Sequence, residues 1–353
     1  MALVFQSATS IGGISFNGSP MIVSVGVNGT VFPSGSTLRQ VRIICTALFK
    51  NKTYTRSFSG ECDNGEVFTE DISTALRAAM FEDIQPDDML PSSDTYKELE
   101  KASFSVQAKP VYMRYGEMIE GETTTYSNPC FAIPGRLTEL ERNSMGSASM
   151  VGPSSPISLS TKPVSEGVVP SGHHLLSGYV IQHGTSLNQA TWDYRIQRMT
   201  VPSSGNTTSF TDGAGVQRSF WIDTTHTYHE FLFQNRRGIL EDACCRPLES
   251  LSGKVEKDSF AKTSMPSFKA GTSLRTSRAF PRRTWKMSSG PCSLEWAEWW
   301  AFEFLASERH WMLIDGAWMP VTVMPADENV LIDDRANPDA LHIDFNVTLG
   351  LEG

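Results

Sequence analysis

"SLEWAEWWAFEFLASERHWMLIDGAWMPV", Ser293 to Val321, decides how the chain reads, because it holds five of the 8 tryptophans: Trp296, Trp299, Trp300, Trp311 and Trp318. Ser293 suits the N-cap of a helix predicted over 293–307. Trp296, Trp300 and Phe304 recur at i, i+4 and i+8, and Ala297, Ala301 and Leu305 widen that apolar stripe. On this reading Trp299 and Phe302 fall on another side, among Glu295 and Glu303. A hairpin follows: "HWMLI", an Asp315-Gly316 turn, then "AWMPVTV". In register it sets Trp311 and Trp318 face to face across the strands. Pro320 implies an edge or a bulge. The last strand, "LHIDFNVTL", puts Leu341, Ile343, Phe345, Val347 and Leu349 on one face and His342, Asp344, Asn346 and Thr348 on the other. The expectation is an antiparallel sheet, wet on one face, with the helix packed on its dry one.

Working outward, the same period of two recurs. "QVRIICTALF" aligns Val41, Ile43, Cys45, Ala47 and Phe49. "MIVSVGV", "YTRSF", "SFSVQAKPVYMRY", "WDYRIQRMTV" and "SFWIDT" read as further strands, and Asn235 to Gly238 as a hairpin turn between Phe231-Phe233 and Ile239. "EDISTALRAAM" changes period: a short helix capped by Asp71 or Ser73, with Ile72, Ala75, Leu76 and Ala79 on its apolar side. The expected fold is mainly β: antiparallel β-sandwich-type modules with a few short helices. Three regions are expected. Residues 1–133 form an N-terminal β domain with a short helix, 134–172 a Ser/Gly/Pro-rich irregular segment, and 173–353 a C-terminal β domain carrying helix 293–307. The irregular segment, around Gly146 to Gly172 above all, is expected to be mobile.

The 353 residues carry a net charge of -9 and are 40% hydrophobic, as globular chains are. That balance argues against a nucleic-acid partner, which wants clustered Lys and Arg. One run stands apart: "RTSRAFPRRTWK", Arg275 to Lys286, with five basic residues and no acid. "MALVFQSATS" lacks the basic start and apolar core of a signal peptide, and no stretch is long and uncharged enough for membrane insertion. A cytoplasmic site of synthesis is the expectation. The six cysteines form no CxxC pair and read as scattered buried thiols.

Chemistry has few footholds. "HTYHE" offers His226, His229 and Glu230, but zincins need HExxH on a helix, and on a strand residues three apart point to opposite faces. His173, His174 and His183 read as exposed loop histidines. Asp87-Asp88 and Asp333-Asp334 lack calcium-loop spacing and read as acidic loops. There is no GxSxG, no P-loop and no GxGxxG. The expectation is therefore no enzyme, no catalytic residue, no cofactor and no metal. For a hydrolase of unrecognised type the first suspects are His229, Glu230 and Asp223.

"ISFNGSPMIVSV", "FTEDISTALRAA", "HEFLFQNRRGILEDA", "EWAEWWAFEFLASERHWMLIDGAWMPVTV" and "LHIDFNVTLGLEG", in this order, resemble tail-tip and baseplate structural proteins of tailed phages and prophages, distal-tail-like and of the kind associated with Bacteroidetes hosts. The resemblance implies a virion tail component assembled in the host cytoplasm as a ring homo-oligomer. It would be built of β-sandwich modules and link the tail tube to hub or receptor-binding proteins, without catalysis. In such a ring each subunit meets its neighbour through two different surfaces. Trp299 with Glu295 and Glu303 reads as one of them, and Arg275, Arg278, Arg282 and Arg283 as the other. The second reading is a carbohydrate-binding, lectin-like β-sandwich whose surface tryptophans stack on sugar, including a host-surface glycan.

Overall fold

The computed structural model describes residues 2–6, 13–80, 85–138, 141, 156–183, 191–263, 272–326 and 341–350, without the side chains of 249–282 and 350. The chain is mainly β, with antiparallel sheets and a few short helices. Its first part runs β1 (Leu3–Phe5), β2 (Gly13–Phe16), β3 (Ile22–Val27), β4 (Thr37–Phe49), β5 (Lys52–Glu61), β6 (Val67–Asp71), α1 (Ser73–Ala79), α2 (Pro86–Met89), β7 (Tyr96–Glu98), β8 (Ala102–Arg114), β9 (Glu117–Glu120), β10 (Thr124–Thr125) and β11 (Cys130–Ile133). Then come β12 (Ile157–Ser158), β13 (Gly167–Pro170), β14 (His174–His183), β15 (Thr191–Thr200), β16 (Thr207–Thr211), β17 (Gln217–Asp223), β18 (His229–Gln234), β19 (Leu240–Thr263) and β20 (Thr272–Ser288). The chain continues with α3 (Leu294–Trp299, prolonged as a π-helical turn over Trp300–Phe304), β21 (His310–Ile314), β22 (Ala317–Pro325) and β23 (Asp344–Gly350). Among the described residues no helix is long and apolar enough to cross a membrane.

Alternation decides the first core. Val41, Ile43, Cys45, Ala47 and Phe49 of β4 are all buried, while the residues between them look outward. They pack with β3 and with Ile72, Ala75, Leu76 and Ala79 of α1. Asp71 Oδ1 secures the start of that helix, accepting from Ser73 N at 3.0 Å and from Met21 N at 2.9 Å. The sheet around β4 has the order β2-β11-β8-β4-β5, with β9 and β10 also on β8. Its β2–β11 pair is parallel.

The last part closes on itself as a barrel in the order β18-β19-β20-β23-β22-β21. Closure comes from β18, which pairs with β19 across the Asn235–Gly238 turn and with β21 through Phe231↔Met312 and Leu232↔Trp311. Phe231, Phe233, Ala243, Cys245, Met287, Met312, Phe345 and Val347 form a core together with Trp296, Trp299, Trp300 and Phe304 of α3. The helix therefore packs on the dry face of an antiparallel sheet that has curled into a barrel.

The β21–β22 hairpin corrects one expectation. Its register pairs Leu313 with Trp318 and Trp311 with Pro320, so the two indoles are diagonal and not directly opposite. The turn supplies the reason. Ile314↔Ala317 closes it with Asp315 (φ 50°) and Gly316 (φ 81°) at its two centre positions, and every later pair follows from that one.

A third core crosses the 134–172 segment. It joins Ile14, Phe16, Leu99 and Ile133 to Leu176, Trp192, Ile239 and Trp311, and Leu159 of the segment itself is fully buried in it. At the same junction two loops touch backbone to backbone. A Cβ on Gly135 would lie 2.2 Å from Arg237 C, and one on Gly238 would lie 2.3 Å from Pro134 C. Of the stretch expected to be mobile, 146–172, only 146–155 lie outside the described residues.

Candidate functional site

Helix α3 carries residues expected at a subunit interface. Trp299 is only 4% exposed, which corrects its expected place on the surface. Its ring meets Phe233 at 5.4 Å, Trp296 at 5.3 Å and Trp300 at 5.2 Å, all edge to face. The physical reason is helical spacing: i and i+3 are neighbours on one face, so Trp299 belongs with Trp296. Glu303 is corrected by the same geometry. Four residues after Trp299, it is 7% exposed and pairs with Arg236 at 3.0 Å. Its Oε2 has no hydrogen-bond partner, and burial, partly offset by Arg236, pushes its pKa up to about 7. The exposed side of the turn belongs to Phe302, at 65%. Glu295 is exposed.

Of the arginines expected to face these acids, Arg283 is exposed on β20 and its backbone pairs with Gly253 and Leu349. Arg275, Arg278 and Arg282 pair by backbone with Phe260, Asp258 and Lys254, and their side chains lie outside the described residues. Trp299 and Glu303 are thus core residues, not an exposed patch.

Two adjacent acids of β19 organise a buried polar seam. Successive strand residues point to opposite faces, so Glu241 and Asp242 face two different layers. Glu241 accepts from Thr161 N at 2.9 Å, from Thr161 Oγ1 at 2.6 Å and from Ser160 Oγ. Asp242 accepts from Lys162 Nζ, from Leu176 N at 2.6 Å and from His173 Nε2 at 2.8 Å. Burial alone would neutralise Asp242, but the Lys162 ammonium and the His173 ring hold its carboxyl well below the usual range. A parallel arrangement sits at Asp212, which takes Ser158 Oγ at 2.6 Å and Arg218 Nη1 at 3.2 Å. The described part of the expected loop, 156–172, is therefore pinned by hydroxyls and an ammonium that buried carboxylates require.

His173 corrects its expected exposure: it is 2% exposed. Burial opposes its charged form, yet the Cys244 sulfur and the Asp242 and Glu230 carboxylates beside it raise its pKa well above the usual value. Its Nδ1 is ion-paired with Glu230 Oε2 at 3.3 Å. His173, Glu230 and Asp242 border a cavity of about 410 Å³ that Arg198, Leu232, Leu313 and Trp318 also line. This cavity, floored by a fixed ion network, is the candidate site.

The other candidates disperse. His226 is exposed and held by Asp223 at 2.7 Å, while His229 and Glu230 are successive residues of β18 and point apart. Asp223 serves Thr225, Tyr228 and Arg246, whereas Glu230 serves His173. His183 is exposed and bonded to Asp193 at 2.8 Å. Asp87 and Asp88 form the first turn of α2, and Asp333-Asp334 lie outside the described residues. All six cysteines are free thiols, five of them buried.

Lys162, His173 and Asp242 escaped the reading of the sequence. A signal was present. "ILEDACC" places two neighbouring acids in an apolar strand, so whichever face is covered buries at least one carboxylate, which then needs a cation or several donors.

No family model matches the chain, and a search of curated proteins returns no match.

Proposed function

We propose that this chain is a structural, non-catalytic component of a phage tail tip or baseplate, assembling with copies of itself into a ring. In that ring it links the tail tube to hub or receptor-binding proteins. The resemblance of its ordered segments supports the tail assignment. One observation supports assembly: β19 and β20 continue beyond the barrel. Val255–Thr263 and Thr272–Pro281 pair with each other and, among the described residues, with no other strand. A ribbon of this length reaches roughly 30 Å. Two strands alone are marginally stable in water and leave both edges open, so such an arm is suited to lying on another protein.

The charge of the arm supports a second copy as its partner. It carries Lys257, Lys262, Arg275 and Arg278 against Glu256 and Asp258, while the chain as a whole stands at -9. A basic arm on an acidic body makes a head-to-tail contact, the kind that closes rings. Arg275 and Arg278 keep their proposed interface role as arm residues, with Arg282 and Arg283 at its root. Trp299 and Glu303 do not.

The test replaces 255–281 by an Asn-Gly turn between Lys254 and Arg282, which are cross-strand partners. Light scattering and negative-stain images should show rings for the full chain and monomers for the shortened one, with equal melting temperatures. A full chain that is monomeric at every concentration and never enters particles overturns the reading.

Carbohydrate binding is the second reading. The tryptophans of α3 do not favour it, since they are core. The cavity beside Trp318 does.

A further inference from the structure

The three-stranded sheet β13-β17-β16 has an outer face that the barrel core does not use. Alternation divides its residues. Phe210, Arg218 and Phe220 are buried, the two aromatic rings in the barrel core and Arg218 on Asp212 at 3.2 Å. The residues between them stand on the outer face in three rungs. Thr207 and Val168 flank Trp221, Ser209 lies beside Ser219, and Thr211 beside Gln217. All are exposed except Ser219, which is partly so. Of the chain's 8 tryptophans, Trp221 alone is exposed. Its Nε1 donates to Glu166 Oε2 at 2.8 Å, which occupies the one polar atom of the indole and fixes its direction. The indole, at 49% exposed, is thereby offered to solvent as a held apolar surface.

Charge decides what this face suits. The three rungs hold no ionised side chain, in a chain whose net charge is -9. Charge stands only at the margins: at Glu166, and at Asp223 at the end of β17. The Asp223 carboxylate is already taken by Thr225, His226, Tyr228 and Arg246. An anion would find no cation in the rungs and a carboxylate beside the indole. A cation would find the indole and Glu166, but nothing along the rest of the row. A protein surface would be met by apolar area, which here is limited to Trp221 and Val168. A neutral saccharide is matched throughout. The C–H face of one sugar unit fits the indole. Its further hydroxyls meet the Ser and Thr hydroxyls and the Gln217 amide, each of which both donates and accepts.

We infer that the outer face of β16 and β17 binds a neutral oligosaccharide, with one sugar unit stacked on Trp221 and the next hydrogen-bonded along Ser209, Ser219, Thr211 and Gln217. From Trp221 to Gln217 the strand covers roughly 13 Å, too long for a single sugar unit and suited to a short chain. The inference rests on the carbohydrate reading, to which it gives a surface site, and it stands apart from self-assembly. The hydrogen bond to Glu166 holds the indole in place before any ligand arrives, so binding spends little on ordering it.

The test is saturation-transfer NMR on the full chain with maltotriose, cellotriose, mannotriose and tri-N-acetylchitotriose, alongside an immobilised glycan array. The two arms separate a free sugar from one displayed on a surface. Binding of a neutral glycan in either arm, weakened about tenfold or more by Trp221→Ala and severalfold by Gln217→Ala, is the expected result. Both variants should melt as wild type does, since both side chains are exposed. Trp318→Phe, in the cavity, should bind unchanged. Silence in both arms overturns the inference and the carbohydrate reading together. Sugar binding that survives Trp221→Ala, with or without a loss in Trp318→Phe, overturns the inference alone and leaves that reading standing. Stronger binding of sialyllactose or butylammonium than of any neutral trisaccharide also overturns it.

Discussion

Trp299 Nε1 donates to Thr161 Oγ1 at 3.3 Å, joining α3 to a segment 138 positions earlier. Thr161 Oγ1 donates onward to Glu241 Oε2 at 2.6 Å. The indole is thus both a packing piece of the barrel core and the end of a hydrogen-bond chain that satisfies a buried carboxylate.

Trp299→Glu should therefore unfold the protein, since it removes an aromatic from the core and places a second carboxylate near Glu241. Trp300→Ala, which deletes a ring in contact with Phe304 and Phe345, should cost about 3–5 kcal/mol. Urea melts measure both. A loss below roughly 1 kcal/mol for Trp300→Ala would mean that its ring is not part of the core.

Lys162→Met strands Asp242 with fewer partners in a buried site, and should cost about 3–5 kcal/mol. The sign of the pH effect follows from the lowered pKa of Asp242. Its stabilisation is complete above the ordinary carboxylate range and is lost as pH falls through the folded value. Wild type should lose stability on acidification, and Lys162→Met should lose less. Equal acid slopes in chemical denaturation at pH 2 to 6 would contradict this.

Glu303 carries the opposite sign. Its folded pKa of about 7 lies above the ordinary value of 4.5, so the folded state holds a proton that the unfolded state releases. Stability is fully present below the unfolded value and falls as pH rises toward 7 and beyond. At 1.36 kcal/mol per unit the loss is at most about 3 kcal/mol. Glu303→Gln should flatten this fall and melt higher than wild type at pH 8. A lower melting temperature there would show that the pair with Arg236 outweighs burial.

The thiols give a fourth expectation. Burial pushes Cys45 and Cys130 up to about 12, and it also raises Cys62, Cys244, Cys245 and Cys292. Native protein at pH 8 should react with an aromatic disulfide reagent at Cys292 alone, the one thiol that is not fully buried. Denatured protein should expose six. Rapid reaction of more than one native thiol would place a second cysteine at the surface.

Much of the fold is legible in local spacing. The period of two in Val41 to Phe49 and in Leu341 to Leu349 assigns strand and buried face together, because alternate side chains must lie on one side. Trp296, Trp300 and Phe304 announce a helix packed on that face by the same logic. Asn235 to Gly238 and Asp315-Gly316 announce their turns, since few residues accept the backbone those turns need. The same rule, applied with i+3 as well as i+4, assigns Trp299 and Glu303 to the core.

What local spacing leaves open is which elements meet. Barrel closure depends on Phe231 finding Met312, 81 residues on, and periodicity holds no information about such partners. His173 looks like a loop histidine until β19 is laid beside it and Asp242 comes within 2.8 Å. Lys162 looks like a solvated cation in a Ser/Gly/Pro stretch until the same carboxylate claims it. The sequence by itself determined the β class, the turns and the faces, because these follow from the geometry of neighbouring residues along one chain. Only the tertiary structure decided which polar groups are buried and which partners hold them, because the cost of burying a charge is set by partners that lie far away in sequence.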